Sequence, residues 1–154
     1  MALDIKKAQR RLLEEAYGNG NLDVYDELCD ETCRFHDPFA GDLGIREEKQ
    51  ACLGYRAAFP DLRPTILASY AEGDTVVTHW RMTGTHRGPL MGLQPTGKTS
   101  SVEGISIGRF RNGRIVETWV QWDAFGMLRQ LGVAPSAVVT PGAGTGAPQP
   151  RTHA

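Results

Sequence analysis

The sequence predicts an α+β domain, and three observations carry that expectation. Helical spacing of apolar residues dominates as far as Phe59, strand-rich segments joined by short turns follow, and neither block repeats internally. With 154 residues the chain suits one domain of ordinary size, large enough to bury a core that encloses a ligand cavity. We expect that domain over residues 1–134. Beyond it, "PSAVVTPGAGTGAPQPRTHA" has too few apolar groups to offset its ordering entropy, so 135–154 is expected to be a disordered tail.

Ile5, Ala8, Leu12 and Ala16 fall on one helical stripe, which "GNG" at 18–20 stops. Asn21 is a suitable cap for a second, short helix carrying Leu22, Tyr25 and Leu28. "TCRFHDPF" reads as a brief strand broken by Pro38. A third helix over about 45–59 sets Ile45, Cys52, Tyr55 and Phe59 along one face, and "FPD" ends it. Segments 62–71 and 75–83 are then rich in β-formers and joined by "EGD". After the Gly/Pro-rich loop "GTHRGPLMGLQPTGK", strands over about 99–111 and 114–122 flank "NG", a strong hairpin signal. A last helix holds Phe125, Leu128 and Leu131. A curved antiparallel sheet wrapped round these helices would leave a cavity between the layers.

Composition narrows the functional classes. Seventeen basic residues against eighteen acidic ones leave no electrostatic footprint for nucleic acid. No apolar run approaches the length of a membrane span, and the charged N-terminus lacks the apolar stretch of a secretory signal. The three cysteines, odd in number and without a C-x-x-C, read as free thiols in a cytoplasmic protein.

The hairpin allows a geometric argument about Asp123, which stands where an apolar strand meets an apolar helix. With Asn112 and Gly113 as the loop, Trp119 opposes Ser106, Gln121 opposes Gly104 and Asp123 opposes Val102. Large or polar groups then face small ones, which suggests open volume on that side. Ile105, Ile107, Val116 and Val120 would form the other, aliphatic face, too apolar to stand in water. A homo-oligomer, dimer or tetramer, is therefore expected. Asp123 is also a good N-cap for the last helix, and the two roles are compatible.

Taken in order, "AAFPDLR", "HWRMTGTHRGPLMGLQPTGK", "RNGRIVETWVQWD" and "FGMLRQLG" resemble the SnoaL-like polyketide cyclase (ester cyclase) family, within the group of NTF2-like cone folds. The resemblance runs from about Leu22 to Gly132. It implies helices packed in a curved sheet, an apolar cavity, and closure of the last ring of an aromatic polyketide by intramolecular aldol addition without metal or cofactor. The family's acid/base carboxylate ends an E-x-W-x-x-x-D element, here Asp123. His79 departs from the pattern, where a less reactive residue is expected. Related proteins of this fold perform hydroxylation, dehydration, epoxide opening or rearrangement, or only bind small molecules, and those readings stay open.

For the aldol reading, Asp123 is expected to be the acid/base, its pKa raised by burial beside Trp119 and Trp122. His86, in "GTHRG", is its catalytic partner, polarising a carbonyl. Gln121, Trp119, His36, His79, Tyr55, Phe59 and Met91 are the expected substrate contacts. No histidine pair has the i, i+4 or H-x-H spacing of a metal site, and none is expected. "PTGK" lacks the spacing of a phosphate loop, and Lys98 in a Gly-rich loop has no apolar pocket to lower its pKa for Schiff-base chemistry. The partner is a small aromatic or polycyclic molecule.

Overall fold

The computed structural model describes residues 2–133, so the expectations for 135–154 lie outside the described residues. Helix α1 spans Ala2–Arg11 and runs on through Leu12–Asn19 as a wider π-helical segment. Gly20, at φ 74°, ends it by donating its N–H to the Ala16 carbonyl, a left-handed conformation that glycine takes without a Cβ penalty. The expected stripe is realised: Ala8, Leu12 and Ala16 are buried. Asn21 does serve the next helix, its Oδ1 accepting the Asp23 N–H at 3.2 Å. That helix, α2, spans Asp23–Leu28, and α3 spans Ile45–Ala58.

Among the described residues, six strands form one sheet in the order β2-β1-β6-β5-β4-β3. They are β1 (Cys29–Asp37), β2 (Gly41–Leu43), β3 (Arg63–Glu72), β4 (Thr75–Thr85), β5 (Thr99–Arg111) and β6 (Arg114–Trp122). The expected all-antiparallel sheet is corrected in one place, because β1 runs parallel to β6. That pairing follows from the helices: the chain enters β1 from α2, and no hairpin dictates its direction. Helix α4 (Ala124–Gln130) closes the domain.

The β5–β6 hairpin turns at Asn112 and Gly113, both at positive φ as a two-residue turn requires. Its register carries a bulge. Arg111 faces Arg114 and Phe110 faces Ile115, but Arg109 faces Glu117, leaving Val116 as the extra residue. Every later pair is displaced by one: Trp119 opposes Ile107, Gln121 opposes Ile105, and Trp122 opposes Gly104. The face shared by Trp119 and Gln121 is thus the outer one, with Ile105 and Ile107, while Thr118, Val120 and Trp122 point inward with Gly104, Ser106 and Gly108. The expected aliphatic face is divided, because Val120 lines the interior and Ile105 and Ile107 lie outside.

Two apolar clusters hold the helices to the inner face. One joins Leu12, Ala16, Val24 and Tyr25 to Phe35, Phe110 and Ile115. The other joins Ala58, Phe59, Leu90, Val102, Met127 and Leu131. Between these clusters the layers do not close.

Candidate active site

The gap between helices and sheet is a cavity of about 930 Å³, its open mouth included. Its walls are mostly apolar and aromatic, with Leu12, Phe35, Tyr55, Phe59, Met82 and Trp122 among them. The space exists because small residues stand opposite large ones. A Cβ on Gly104 would lie 2.4 Å from the Trp80 ring and 2.8 Å from the Trp122 Cβ, so glycine lets both rings lie against the sheet. The Trp80 indole N–H donates to Ser106 Oγ at 2.8 Å, which fixes the ring and satisfies its polar edge.

One buried carboxylate stands in this apolar enclosure among the described residues. Glu48 lies on the inward stripe of α3, with Ile45, Cys52, Tyr55 and Phe59, and is only 8% exposed. Tyr17 and Tyr25 donate their hydroxyls to the same oxygen, Oε1, at 2.9 and 3.2 Å. Neither tyrosine engages Oε2, and Glu48 lines the cavity. Burial pushes the Glu48 carboxyl up to about 7, against the two tyrosine hydrogen bonds and with help from the Asp37 charge. Burial, followed by the neighbouring charges, also holds the Tyr17 and Tyr25 hydroxyls well above the usual phenol range, so both remain donors. Asp37 is a second lining carboxylate, whose Oδ1 accepts the N–H groups of Phe39 and Ala40 at 2.7 and 2.8 Å.

The residues expected to form the site are distributed differently. Tyr55 and Phe59 line the cavity, packed near Trp122 and His86 respectively. Asp123 does not. It is exposed, and its Oδ1 accepts the Gly126 N–H at 2.8 Å, so it caps α4. Trp119 (39% exposed) and Gln121 lie on the outer face because of the bulge, and Trp119 stacks on His36 at 5.3 Å. His36 is clamped from outside, with Nδ1 2.6 Å from Asp42 and Nε2 2.9 Å from Glu117; Asp42 first, then Glu117, raises its pKa. His79 pairs with Glu103 at 2.8 Å on the same outer face. His86 is fully buried but lies behind the cavity wall, where Nδ1 accepts the Thr96 N–H at 3.2 Å and pins the 86–98 loop. Met91, at φ 49°, is exposed at that loop's tip, away from the cavity.

Among the described residues, no group of three His, Cys, Asp or Glu side chains is placed to hold a metal ion. The cysteines Cys29, Cys33 and Cys52 are free and buried. No helix among the described residues is long and apolar enough to cross a membrane.

Sequence reasoning missed Glu48, although its signal was present: the stripe Ile45, Cys52, Tyr55, Phe59 includes position 48, and an acidic residue there breaks an apolar row. Gln9 and Tyr17 fall in the row adjoining Ala8, Leu12 and Ala16, and they too were legible as polar groups on an inward face.

A family model described as SnoaL-like polyketide cyclase matches residues 7–131. The chain belongs to this family. Its fold agrees with solved relatives of the cyclases. AclR from Streptomyces galilaeus, a candidate hydroxylase, superposes with a TM-score of 0.78 at 25% identity, over 88% of this chain and 100% of AclR. IdmH from Streptomyces antibioticus, a candidate polyketide cyclase, gives 0.73 at 30% identity, over 84% of this chain and 99% of IdmH. A Catenulispora acidiphila protein with the ketosteroid isomerase-like fold gives 0.68 at 18% identity over 88% of this chain and 96% of its own, a likeness of fold alone. No curated protein sequence matches. Family membership gives a polyketide cyclase or tailoring role and a small-molecule substrate.

Proposed function

We propose that this cyclase-family protein closes a ring on a poly-β-carbonyl aromatic polyketide by intramolecular aldol addition, with Glu48 as general acid and base. The observation that carries the reading is a buried carboxyl, poised near neutrality, that lines an apolar cavity and has one oxygen held by two tyrosines. An ordinary surface glutamate ionises near pH 4 and is a poor base at neutral pH. A carboxyl titrating near the working pH is populated in both forms, which suits one group to take a proton and return it.

In this reading the Glu48 carboxylate removes a proton from a carbon flanked by two carbonyls. The resulting enolate carbon attacks a ketone or aldehyde of the same molecule, forming the new C–C bond. The proton now on Glu48 passes to the alkoxide, giving the β-hydroxy ring and restoring the carboxylate. Atoms and charge balance without a further reactant. Tyr17 and Tyr25 steady the ionised form before the first transfer and after the second, by donating to Oε1. The aromatic walls fold the flexible substrate so that its carbons meet, which contributes through orientation.

The test uses a synthetic poly-β-carbonyl anthraquinone precursor, with ring closure followed by chromatography in wild type, Glu48→Gln and Asp123→Asn. Loss of turnover in Glu48→Gln with retention in Asp123→Asn supports the reading. The reverse result overturns it and returns the role to the carboxylate that ends E-x-W-x-x-x-D.

A further inference from the structure

At the end of the cavity near α1, two buried polar side chains have no partner among the described residues. Gln9 is 1% exposed and Thr118 is 3% exposed. Both line the cavity, yet Gln9 Oε1 and Thr118 Oγ1 make no hydrogen bond among the described residues. Groups so buried carry a desolvation cost, and native interiors pair nearly all of them. The local backbone is cut to fit them. A Cβ on Gly108 would stand 2.3 Å from Gln9 Oε1, so only glycine on β5 admits the amide there. Thr118 on β6 is the register partner of that same Gly108, so the inward face brings Thr118 next to the position that the Gln9 amide overlies. Ser106 is already matched, since it accepts the Trp80 indole N–H, whereas the buried hydroxyls of Thr78 and Ser100 are, like that of Thr118, without a partner among the described residues.

We propose that Gln9 and Thr118 form a subsite that reads a hydroxyl group of the substrate, a phenol or enol O–H. This inference rests on the reading of the cavity as the substrate site. The chemistry of the pair selects the group. An amide oxygen can only accept, so it requires a donor. The threonine hydroxyl can donate to the oxygen that carries that donor. A hydroxyl satisfies both at once, whereas a ketone or ether oxygen accepts from Thr118 and leaves Gln9 Oε1 unmatched. A site with buried polar groups discriminates strongly against an analogue that leaves one unpaired. The substrate is thus a hydroxylated aromatic, docked by its hydroxyl at Gln9 and Thr118.

The experiment compares 2-naphthol with 2-methoxynaphthalene, which accepts but cannot donate, by isothermal titration calorimetry at pH 7. Wild type should bind the naphthol at least about tenfold more tightly. Gln9→Met and Thr118→Val, close in size, should reduce that preference to within about twofold, while Thr118→Ser retains it and guards against a fold defect in the other variants. Equal affinity of the two probes for wild type, or no binding of 2-naphthol up to its solubility, overturns the proposal. So does an undiminished preference in both folded apolar variants. Because binding is read without turnover, measurements in Glu48→Gln separate the two readings: loss of acid/base chemistry leaves the naphthol preference intact, and loss of the preference leaves ring closure by Glu48 to be judged by itself.

Discussion

The two faces of the β-sheet treat the same side chain in opposite ways. Glu48 packs against the inner face, where burial raises its carboxyl to about 7. Glu103 and Glu117 stand on the outer face, and both are held below the usual carboxylate range, Glu103 chiefly by Arg81 and Glu117 chiefly by His36. Outside, each acid has water and a cation, and its charge is stabilised. Inside, Glu48 is cut off from water and has another acid nearby, and these together outweigh the two tyrosine hydrogen bonds that favour its charge. Reactivity in this fold depends on which face a carboxylate meets.

The largest expected effect of that contrast is kinetic. Glu48→Gln keeps the side chain's shape and an oxygen for Tyr17 and Tyr25, yet removes the titrating proton. Ring closure should fall by roughly 10²–10⁴, whereas Glu103→Gln and Glu117→Gln should leave it within about threefold. Single-turnover assays of the three variants under identical conditions measure the difference. A Glu48→Gln protein turning over like wild type would erase the functional distinction between the faces.

The same substitution should change stability with pH. Glu48 is raised from 4.5 to about 7 on folding, so between those values the folded protein binds more protons than the unfolded chain. Stability from this group is therefore greatest below pH 4.5 and falls as pH rises through 7. The shift corresponds to roughly 3 kcal/mol. Glu48→Gln lacks this loss, so its stability relative to wild type should rise by about that amount between pH 4 and pH 8. Urea denaturation at both pH values gives the double difference, in which groups common to both proteins cancel. A flat result would mean that Glu48 ionises as though exposed.

Gly104 sharpens the comparison from the side of packing. Its neighbour in sequence, Ile105, projects outward and is 46% exposed, so Ile105→Val meets little resistance. Gly104→Ala instead drives a methyl into the Trp80 ring and the Trp122 Cβ. We expect about 1–3 kcal/mol of destabilisation from overpacking, with reduced cavity volume and weaker ligand binding. Thermal unfolding with and without a bound naphthol reads both effects.

Much of the architecture was legible because it rests on local rules. The helix stripes, the glycine stop at 20 and the "NG" turn place α3 and β3 to β6 within a residue or two of their observed bounds, whereas β1 begins three residues before the expected "TCRFHDPF" and β2 was not expected. The site was less legible. One extra residue, Val116, exchanges the partners across β5 and β6, and no local propensity announces a bulge. The expectation that small residues such as Gly104 and Ser106 face the cavity survives, but their large neighbours are Trp80 and Trp122, with Trp119 turned outward. The parallel contact between β1 and β6 likewise depends on distant segments.

The smallest effect concerns Asp123, the residue that the motif singles out. Its Oδ1 satisfies one of the amide groups that the first turn of α4 leaves unpaired, the N–H of Gly126. Gly126 itself is matched to that contact, since a Cβ there would stand 2.0 Å from Asp123 Oδ2. Asp123→Ala should therefore cost about 1 kcal/mol of stability, and Asp123→Asn only a few tenths, because asparagine caps about as well. Under the present reading, turnover in Asp123→Asn stays within about threefold of wild type, since no proton passes through a cap. Paired thermal melts and ring-closure assays separate the possibilities. A stable Asp123→Asn protein that has lost several hundredfold in turnover would place the reacting proton at the helix end and leave Glu48 a structural partner of its two tyrosines.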